Sequence, residues 1–223
     1  MSLWSPVWLT LQLAGLTTIL LLLIATPIAW WLANTRARIK PAVEALTALP
    51  LVLPPTVLGF YLLILMSPES TLGAFWVRMT GEALTFSFTG LVIASMFYSL
   101  PFAVQPLQAA FQSVGPGMME AAATLGASRR DAFLSVALPL SRRGVLTAAV
   151  LSFAHTMGEF GVVLMVGGNI PGRTRVISIE IYSAVETLDY ATAHLLSGGL
   201  LVFSFVVLSV VYLMNQRGVR AGG

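Results

Sequence analysis

Residues 7–33 read VWLTLQLAGLTTILLLLIATPIAWWLA, and no charged side chain occurs in this run. An α-helix rises about 1.5 Å per residue, so about 20 apolar residues cross the hydrocarbon layer of a membrane. The run begins near Trp8 with no basic segment before it, and it continues well past the apolar core of a signal peptide. We therefore expect residues 7–33 to form a first membrane-spanning helix.

Further apolar runs of sufficient length follow at residues 43–66, 88–110, 144–166 and 193–214. Hydrophobic residues make up 57% of the chain and charged residues only 9%, which is too little polar surface to cover a water-soluble globule. We predict an all-α membrane protein with about five transmembrane helices, in a single domain over residues 1–223 that lies in the lipid bilayer. A sixth span within residues 176–188 is not expected, because Glu180 and Glu186 would be stranded in lipid.

Lysine and arginine collect in alternate connections between these runs, and such basic loops stay on the cytoplasmic side. The cytoplasmic set comprises Arg36, Arg38, Lys40, Arg129, Arg130, Arg142, Arg143, Arg217 and Arg220, whereas the other side has only Arg78, Arg173 and Arg175. This distribution predicts a periplasmic N-terminus and a cytoplasmic C-terminus. The net charge of +3 does not indicate a nucleic-acid partner, because the basic residues lie in short clusters between apolar runs.

Prolines are frequent in the first three runs, where each one removes a backbone donor and bends or breaks a helix. They are Pro27, Pro50, Pro54, Pro55, Pro101 and Pro106. Membrane proteins tolerate such breaks where neighbouring helices or a water-lined cavity satisfy the freed carbonyl groups. As a set, these prolines favour a protein whose core opens.

The connection at residues 111–143 is both long and rich in arginine. Gly115-Pro116-Gly117 should break the preceding helix, and a short alanine-rich helix should follow until Gly126 stops it. Ser128 can cap a second short helix, which Pro139 should end. We predict two short exposed helices at a bend, with small alanine faces that allow a partner to approach closely. A hairpin that lies on the membrane surface is the alternative.

The same connection resembles the EAA loop of type I ABC importer permeases, whose pattern is Glu-Ala-Ala, three residues, Gly, nine residues, Ile, any residue, Leu-Pro. The matching positions are Glu120, Ala121, Ala122, Gly126, Leu138 and Pro139, with Val136 in place of the Ile. In that family the loop docks on the ATPase subunit. The resemblance therefore implies contact between residues 120–126 and an ABC ATPase dimer, with Arg129, Arg130 and Asp131 at the rim. It also implies the type I importer fold and a second copy of this chain as dimer partner.

The sequence contains no Gly-x-x-x-x-Gly-Lys-Ser/Thr phosphate-binding loop, so ATP hydrolysis is assigned to the partner chain. We expect a transmembrane subunit that is not an enzyme and carries no cofactor. A metal site is not expected, because the chain has two histidines and no cysteine and shows no metal-ligand pattern.

Three other stretches resemble molybdate permeases: ALPLVLPPTVLGFY at residues 48–61, GEFG at 158–161 and GNIPGRTR at 168–175. Sulfate and tungstate permeases share versions of the last two, so these substrates remain alternatives. The resemblance implies import of molybdate across the bacterial inner membrane. It also implies a periplasmic molybdate-binding protein, which would dock at the loop that carries Arg173 and Arg175.

A dianion that crosses a membrane needs hydrogen-bond donors that do not hold it tightly, and the predicted spans supply hydroxyls rather than buried cations. The candidate pathway hydroxyls belong to Thr56, Ser95, Ser99, Thr147, Ser152 and Thr156. His155 and Glu159 lie one helical turn apart in an apolar run and should share a face. A structural pair at a subunit interface or gate is favoured. A proton relay, as in a proton-coupled secondary carrier, is the alternative from another class of transporter.

Overall fold

The computed structural model describes residues 4–220, with side chains described up to residue 213. Its helices are α1 (Trp4–Asn34), α2 (Lys40–Ala48), α3 (Pro55–Met66), α4 (Thr71–Thr80), α5 (Phe88–Thr124), α6 (Arg129–Ala132), α7 (Leu138–Leu140), α8 (Arg142–Gly158), α9 (Gly161–Gly167), α10 (Ile177–Glu186) and α11 (Tyr190–Arg220). A 3₁₀ turn, Leu49–Leu51, extends α2, and a π-helical turn, Phe133–Ala137, joins α6 to α7. The side chains of Arg217 and Arg220, which enter the orientation argument, lie outside the described residues. The orientation of the termini stays a prediction.

Helices α1, α5 and α11 are each long and apolar enough to cross a membrane. They contain the predicted runs at 7–33, 88–110 and 193–214. Two bent helix pairs raise the number of spans in the described residues to as many as five: Lys40–Leu51 with Pro55–Met66, and Arg129–Leu140 with Arg142–Gly158. The all-α membrane class predicted from the sequence is confirmed.

The predicted run at 43–66 is not one straight helix, because its two halves meet at an angle of 108°. Pro55 disfavours a helical conformation at the preceding residue, and Pro54 accordingly has φ −55° and ψ 136°. α3 begins at Pro55 and has 12 residues, so its length of about 18 Å is less than the thickness of the hydrocarbon layer. Other prolines lie inside longer helices: Pro27 in α1, and Pro101 and Pro106 in α5.

The predicted run at 144–166 is also interrupted, which corrects the expectation of a continuous fourth span. α8 ends at Gly158, Glu159 has an extended backbone with ψ 133°, and α9 starts at Gly161. The Ser178 hydroxyl of α10 donates a hydrogen bond of 2.5 Å to the Glu159 carbonyl oxygen. A neighbouring helix therefore satisfies a backbone group at the interruption, as a break inside a membrane protein requires.

Two predicted connections contain helices that the sequence analysis does not predict. α4 lies in the connection 67–87, where Ser70 caps its N-terminus and Gly81, at φ 78°, caps its C-terminus. α10 lies in the connection 167–192 and has 10 residues, a length of about 15 Å. Among the described helices, α10 is not one that could span a membrane, in agreement with the expectation of no sixth span.

Small residues allow α1, α5 and α8 to pack closely, as is common between helices in membranes. One buried cluster joins Ala25 of α1, Ala103 of α5 and Ala148 of α8. The contact is closest at Gly144, where a Cβ would lie 2.2 Å from the Cβ of Ala110. This packing fixes α5 and α8 relative to each other.

Helices α3 and α9 form a second close pair through two glycines. A Cβ at Gly59 would lie 2.8 Å from the Cβ of Met165, and one at Gly161 would lie 2.7 Å from the Cβ of Pro55. α11 packs much less closely, and many of its large apolar side chains are exposed, among them Leu195, Leu201, Phe205 and Tyr212. Such a face suits contact with lipid or with another apolar helix.

Candidate functional site

The 111–143 segment begins within α5, which contains a sharp kink. Gly115 has φ 73° and ψ 158°, so the helix before it and the helix after it are separate elements. This region of backbone space is essentially limited to glycine, because a Cβ clashes there with the residue's own backbone. The helix break predicted at Gly115-Pro116-Gly117 is confirmed.

Local capping forms the bend that follows. Gly126 has φ 82°, and Ser128 caps α6 in a reciprocal capping box with Asp131. The Asp131 N–H donates to the Ser128 hydroxyl at 3.2 Å, and the Ser128 N–H donates to the Asp131 carboxylate at 3.2 Å. The predicted stop at Gly126 and the predicted cap at Ser128 are therefore confirmed.

The second helix ends at Leu140, one residue beyond the predicted stop at Pro139. Pro139 lies inside a helical stretch that continues to Leu140, and the 69° bend to α8 follows it. The π-helical turn Phe133–Ala137 immediately before α7 widens the helix, with the Leu138 N–H bonded to the Phe133 carbonyl oxygen. A local π adjustment of this kind lets a helix pass a proline that cannot donate a hydrogen bond.

Most residues that match the EAA pattern are exposed: Glu120, Ala121, Gly126, Arg129, Arg130, Asp131 and Pro139, whereas Ala122 is buried and Leu138 is half-buried. The Asp131 carboxylate is already bound in the capping box. Three large apolar residues of this segment are also exposed: Leu125, at 89%, Met118 and Leu134. They are not among the residues that the sequence predicts to contact a partner. The sequence does contain a sign of this exposed apolar surface, because large apolar side chains occur in a connection that is expected to be polar.

Aromatic side chains connect the 111–143 segment to the helices in the membrane. Trp30 of α1 packs edge-on against Phe111 of α5 and against Phe133 of the π turn, with ring centroids 5.3 Å and 5.0 Å apart. The two phenylalanine rings are themselves 5.8 Å apart. This aromatic cluster joins the π turn directly to α1 and α5.

A cavity of about 580 Å³ lies between α3, α5, α8 and α9. Its lining residues are Pro55, Thr56, Tyr98, Ala154, His155, Gly158, Glu159, Phe160, Gly161, Leu164 and Met165. The cavity brings together Thr56, His155 and Glu159, three of the pathway candidates selected from the sequence. Tyr98 is a fourth polar lining residue, and the sequence analysis missed it because its position in an apolar helix gives no sign of a cavity.

Two hydroxyl groups hold the His155 ring on its Nδ1 side. Its Nδ1 atom lies 2.9 Å from the Ser99 hydroxyl oxygen, which lies 3.0 Å from the hydroxyl oxygen of Thr156. The imidazole stacks on the Phe102 ring at 4.0 Å and contacts the Tyr98 ring at 4.8 Å. Its Nε2 atom has no hydrogen-bond partner among the described residues and is not sealed from solvent. Three pathway candidates thus form one hydrogen-bonded group.

The Glu159 side chain is only 3% exposed, and both of its carboxyl oxygens are buried. Neither oxygen forms a hydrogen bond with a described residue. The proposed pairing of His155 with Glu159 is wrong, because His155 bonds to Ser99 instead. α8 ends between the two residues, so the helical geometry that would bring them together is lost.

Arg175 belongs to a hydrogen-bonded network in the connection between α9 and α10. Its Nε atom donates to the Asn169 side chain at 2.5 Å, and its Nη1 atom pairs with the Glu180 carboxylate at 3.4 Å. The Asn169 amide in turn donates to the Ser183 hydroxyl. Arg173 is exposed. Of the two predicted contacts for a binding protein, Arg173 is therefore the more accessible, and the contact itself stays a prediction.

In the part of the chain that the structure describes, no group of three or more His, Asp or Glu side chains is arranged to hold a metal ion. Comparison with known proteins then identifies the family. Residues 25–219 match the family described as "binding-protein-dependent transport system inner membrane component". The chain belongs to this family. The matched residues include both the 111–143 segment and the cavity.

Two relatives in this transport family are similar over most of their length. The molybdenum transport system permease protein ModB of Azotobacter vinelandii is 56% identical over 218 residues, which are 98% of this chain and 96% of that protein. The sulfate transport system permease protein CysT of Escherichia coli (strain K12) is 34% identical over 196 residues, which are 87% of this chain and 70% of that protein.

The fold of this transport-system component also occurs in solved structures. A chain of a bacterial ABC transporter involved in the import of the acidic polysaccharide alginate has a TM-score of 0.74 at 18% identity. The match covers 96% of this chain and 78% of that chain. At this level of identity the likeness concerns the fold alone, and it agrees with the permease fold expected from the sequence.

Proposed function

We propose that this chain is the permease subunit of an ATP-driven importer that carries molybdate across the bacterial inner membrane. The observation that carries the proposal is the 56% identity with a molybdenum permease over 98% of this chain. Identity with the sulfate permease is 34%, so sulfate has less support as the substrate. Tungstate is the alternative that is harder to separate, because its oxyanion matches molybdate in size as well as in charge and tetrahedral shape, whereas sulfate is smaller.

The 111–143 segment is the proposed contact with an ABC ATPase dimer that hydrolyses ATP. Its support is the exposed tip at Leu125 and Gly126, the small exposed side chain of Ala121, and the aromatic contact with α1 through Trp30. An apolar tip suits insertion into a groove of the partner. The rigid connection to Trp30 suits transfer of the partner's movement to the spans.

The cavity is proposed as part of the translocation pathway, together with Ser95, Ser99 and Thr156. Its lining offers neutral donors and no arginine or lysine, which suits passage of a dianion rather than its capture. Capture is assigned to a separate periplasmic molybdate-binding protein that docks near Arg173. A second copy of this chain completes the proposed transporter. The orientation predicted from the basic residues places the 111–143 segment in the cytoplasm.

The substrate is tested by uptake of labelled molybdate in cells that lack this gene and in the same cells with the gene restored. We expect restored, energy-dependent uptake that excess sulfate does not inhibit. Competition by tungstate at equal concentration measures how far the two oxyanions are distinguished. Uptake abolished by sulfate would assign the chain to sulfate import, and uptake without any ATPase partner would support a secondary carrier.

Contact with the ATPase is tested with Leu125→Asp. A charge at this exposed apolar tip should reduce co-purification with the ATPase at least tenfold, because the carboxylate loses its water on docking without gaining a partner. Leu188→Asp is the matched control, because Leu188 is 70% exposed and lies in the connection at the predicted opposite side of the membrane. Equal co-purification of the two variants would contradict the proposed docking site.

A further inference from the structure

The hydroxyls of Ser99 and Thr156 determine which ring nitrogen of His155 carries a proton. Thr156 is only 2% exposed, and the Ser99 hydroxyl is its one side-chain partner among the described residues. A buried hydroxyl proton without an acceptor is costly, so Thr156 must donate to Ser99. The Ser99 proton is then directed at Nδ1 of His155, which accepts it.

An imidazole that accepts at Nδ1 carries its own proton on Nε2 when it is neutral. The two other protonation states, the Nδ1–H tautomer and the imidazolium ion, would place a proton on Nδ1 and make Ser99 the acceptor. The hydroxyl proton of Ser99, which is 0% exposed, or that of Thr156 would then lack an acceptor. The hydrogen bonds therefore select the state in which Nε2–H is available as a donor.

The lining around this donor is mostly apolar and contains no arginine or lysine. Thr56 is exposed and Tyr98 is half-buried, and both line the cavity with hydroxyl groups. Glu159 contributes to the lining, and both of its carboxyl oxygens are fully buried. An anion in the cavity therefore meets hydrogen-bond donors before it meets a carboxylate oxygen.

We propose that this cavity is a transient binding site for a tetrahedral oxyanion, in which Nε2–H of His155 and the Thr56 hydroxyl donate hydrogen bonds and Ser99 positions His155. The inference rests on the proposed function, because it specifies where an imported oxyanion is held. Neutral donors in an apolar surface bind such an ion weakly enough to release it, whereas a guanidinium group binds it through two charge-assisted hydrogen bonds.

The protonation state is tested by ¹⁵N NMR of the complete transporter in lipid nanodiscs, with ¹⁵N-histidine in this chain only and unlabelled partner chains. The chain has two histidines, so His194→Gln leaves the signal of His155 alone. We expect a protonated Nε2 and an acceptor Nδ1 in the resting transporter. Ser99→Ala should change this tautomer ratio, and Ser99→Thr should restore it. A protonated Nδ1 in the unaltered transporter would overturn the inference.

The binding role is tested by ATP-driven molybdate uptake into proteoliposomes that hold the complete transporter with saturating binding protein. His155→Leu removes one hydrogen-bond donor and should lower the uptake rate about tenfold. His155→Gln, whose amide can donate from a similar place, should retain most of the rate. Thr26→Val is the control, because the Thr26 hydroxyl donates only to the Leu22 carbonyl oxygen within α1; its rate should not change.

The results separate this inference from the proposed function. If the unaltered transporter imports molybdate and His155→Leu imports it equally fast, the function stands and the binding site is wrong. If the unaltered transporter imports sulfate and not molybdate, the proposed substrate is wrong, and the same variants measured with sulfate decide the binding site. Size-exclusion profiles of each purified complex show whether a slow variant is still assembled. The NMR measurement requires no substitution at His155 itself.

Discussion

The 111–143 segment and the cavity differ in the distance along the chain between the residues that form them. In the segment, Ser128 and Asp131 are three residues apart, and Gly115 needs no partner at all to set its kink. In the cavity, Ser99 and His155 are separated by 56 residues. The segment is therefore determined by local conformational preference, whereas the cavity exists only when α5 and α8 are packed together.

This difference also separates the two functions that we propose. A docking element has to keep its shape while it transfers movement to the spans, and short-range caps and a glycine kink determine that shape locally. A binding site for a small anion requires donors at fixed distances, which only close packing of helices provides. The predictions below test whether the two regions respond independently to substitution.

The largest effect is expected at Gly144, where α8 touches α5. Gly144→Val places a branched side chain where even a Cβ would lie 2.2 Å from the Ala110 Cβ and 3.1 Å from the Pro106 carbonyl oxygen. Overpacking against backbone should cost about 3 kcal/mol or more of the free energy of unfolding. We expect a large fall in the yield of monodisperse protein and in its thermal unfolding temperature.

Gly117→Ala is the matched control for Gly144→Val. A Cβ at Gly117 would meet no atom within 4 Å, so unfolding temperature and yield should stay unchanged. If Gly144→Val were as stable as Gly117→Ala, α5 and α8 would not be in close contact, and the geometry of the cavity would have to be revised.

The next largest effect is expected at the kink of the 111–143 segment. Gly115→Ala meets no atom within 4 Å, so any effect arises from the backbone conformation, with φ 73° and ψ 158°. Holding alanine in this conformation costs about 2 kcal/mol, so residue 115 should move to the extended conformation at negative φ that Pro116 favours, and the direction of the kink should change. We expect ATP-driven uptake to fall severalfold while co-purification with the ATPase and the unfolding temperature of the permease change little. A fall in all three quantities together would mean that the kink also supports the packing of the spans.

The distinction between local and long-range contacts also explains which features can be predicted from the sequence. The glycine break, the stop at Gly126 and the Ser128 cap were all predicted correctly, because each depends on residues within one or two helical turns. The prolines of the second span predict a bend or break but not its angle, which is 108°. The fourth span was predicted by apolar length alone, and length does not report the break at Glu159. Apolar composition is the same on both sides of such a break.

In the cavity, the sequence predicts candidate residues, three of which line it, but not their contacts. His155 and Glu159 were assigned to each other because they are four residues apart, and this spacing is informative only inside a continuous helix. The true partner, Ser99, lies on another helix. Tyr98 was missed for the same reason, because only the packing of α5 against α8 and α3 makes it a lining residue.

The smallest effect is expected at Ser128. Ser128→Ala removes the hydroxyl that accepts from the Asp131 N–H at 3.2 Å, which should cost about 1 kcal/mol in the helix that it caps. Because this helix is locally determined, we expect faster hydrogen exchange confined to the amides of α6, measured by mass spectrometry, with no change in the unfolding temperature. Ser113→Ala is the control, because the Ser113 hydroxyl donates only to the Ala110 carbonyl oxygen of its own helix. If Ser128→Ala instead lowered the unfolding temperature as Gly144→Val does, the segment would unfold cooperatively with the spans, and the independence inferred from its short-range contacts would be wrong.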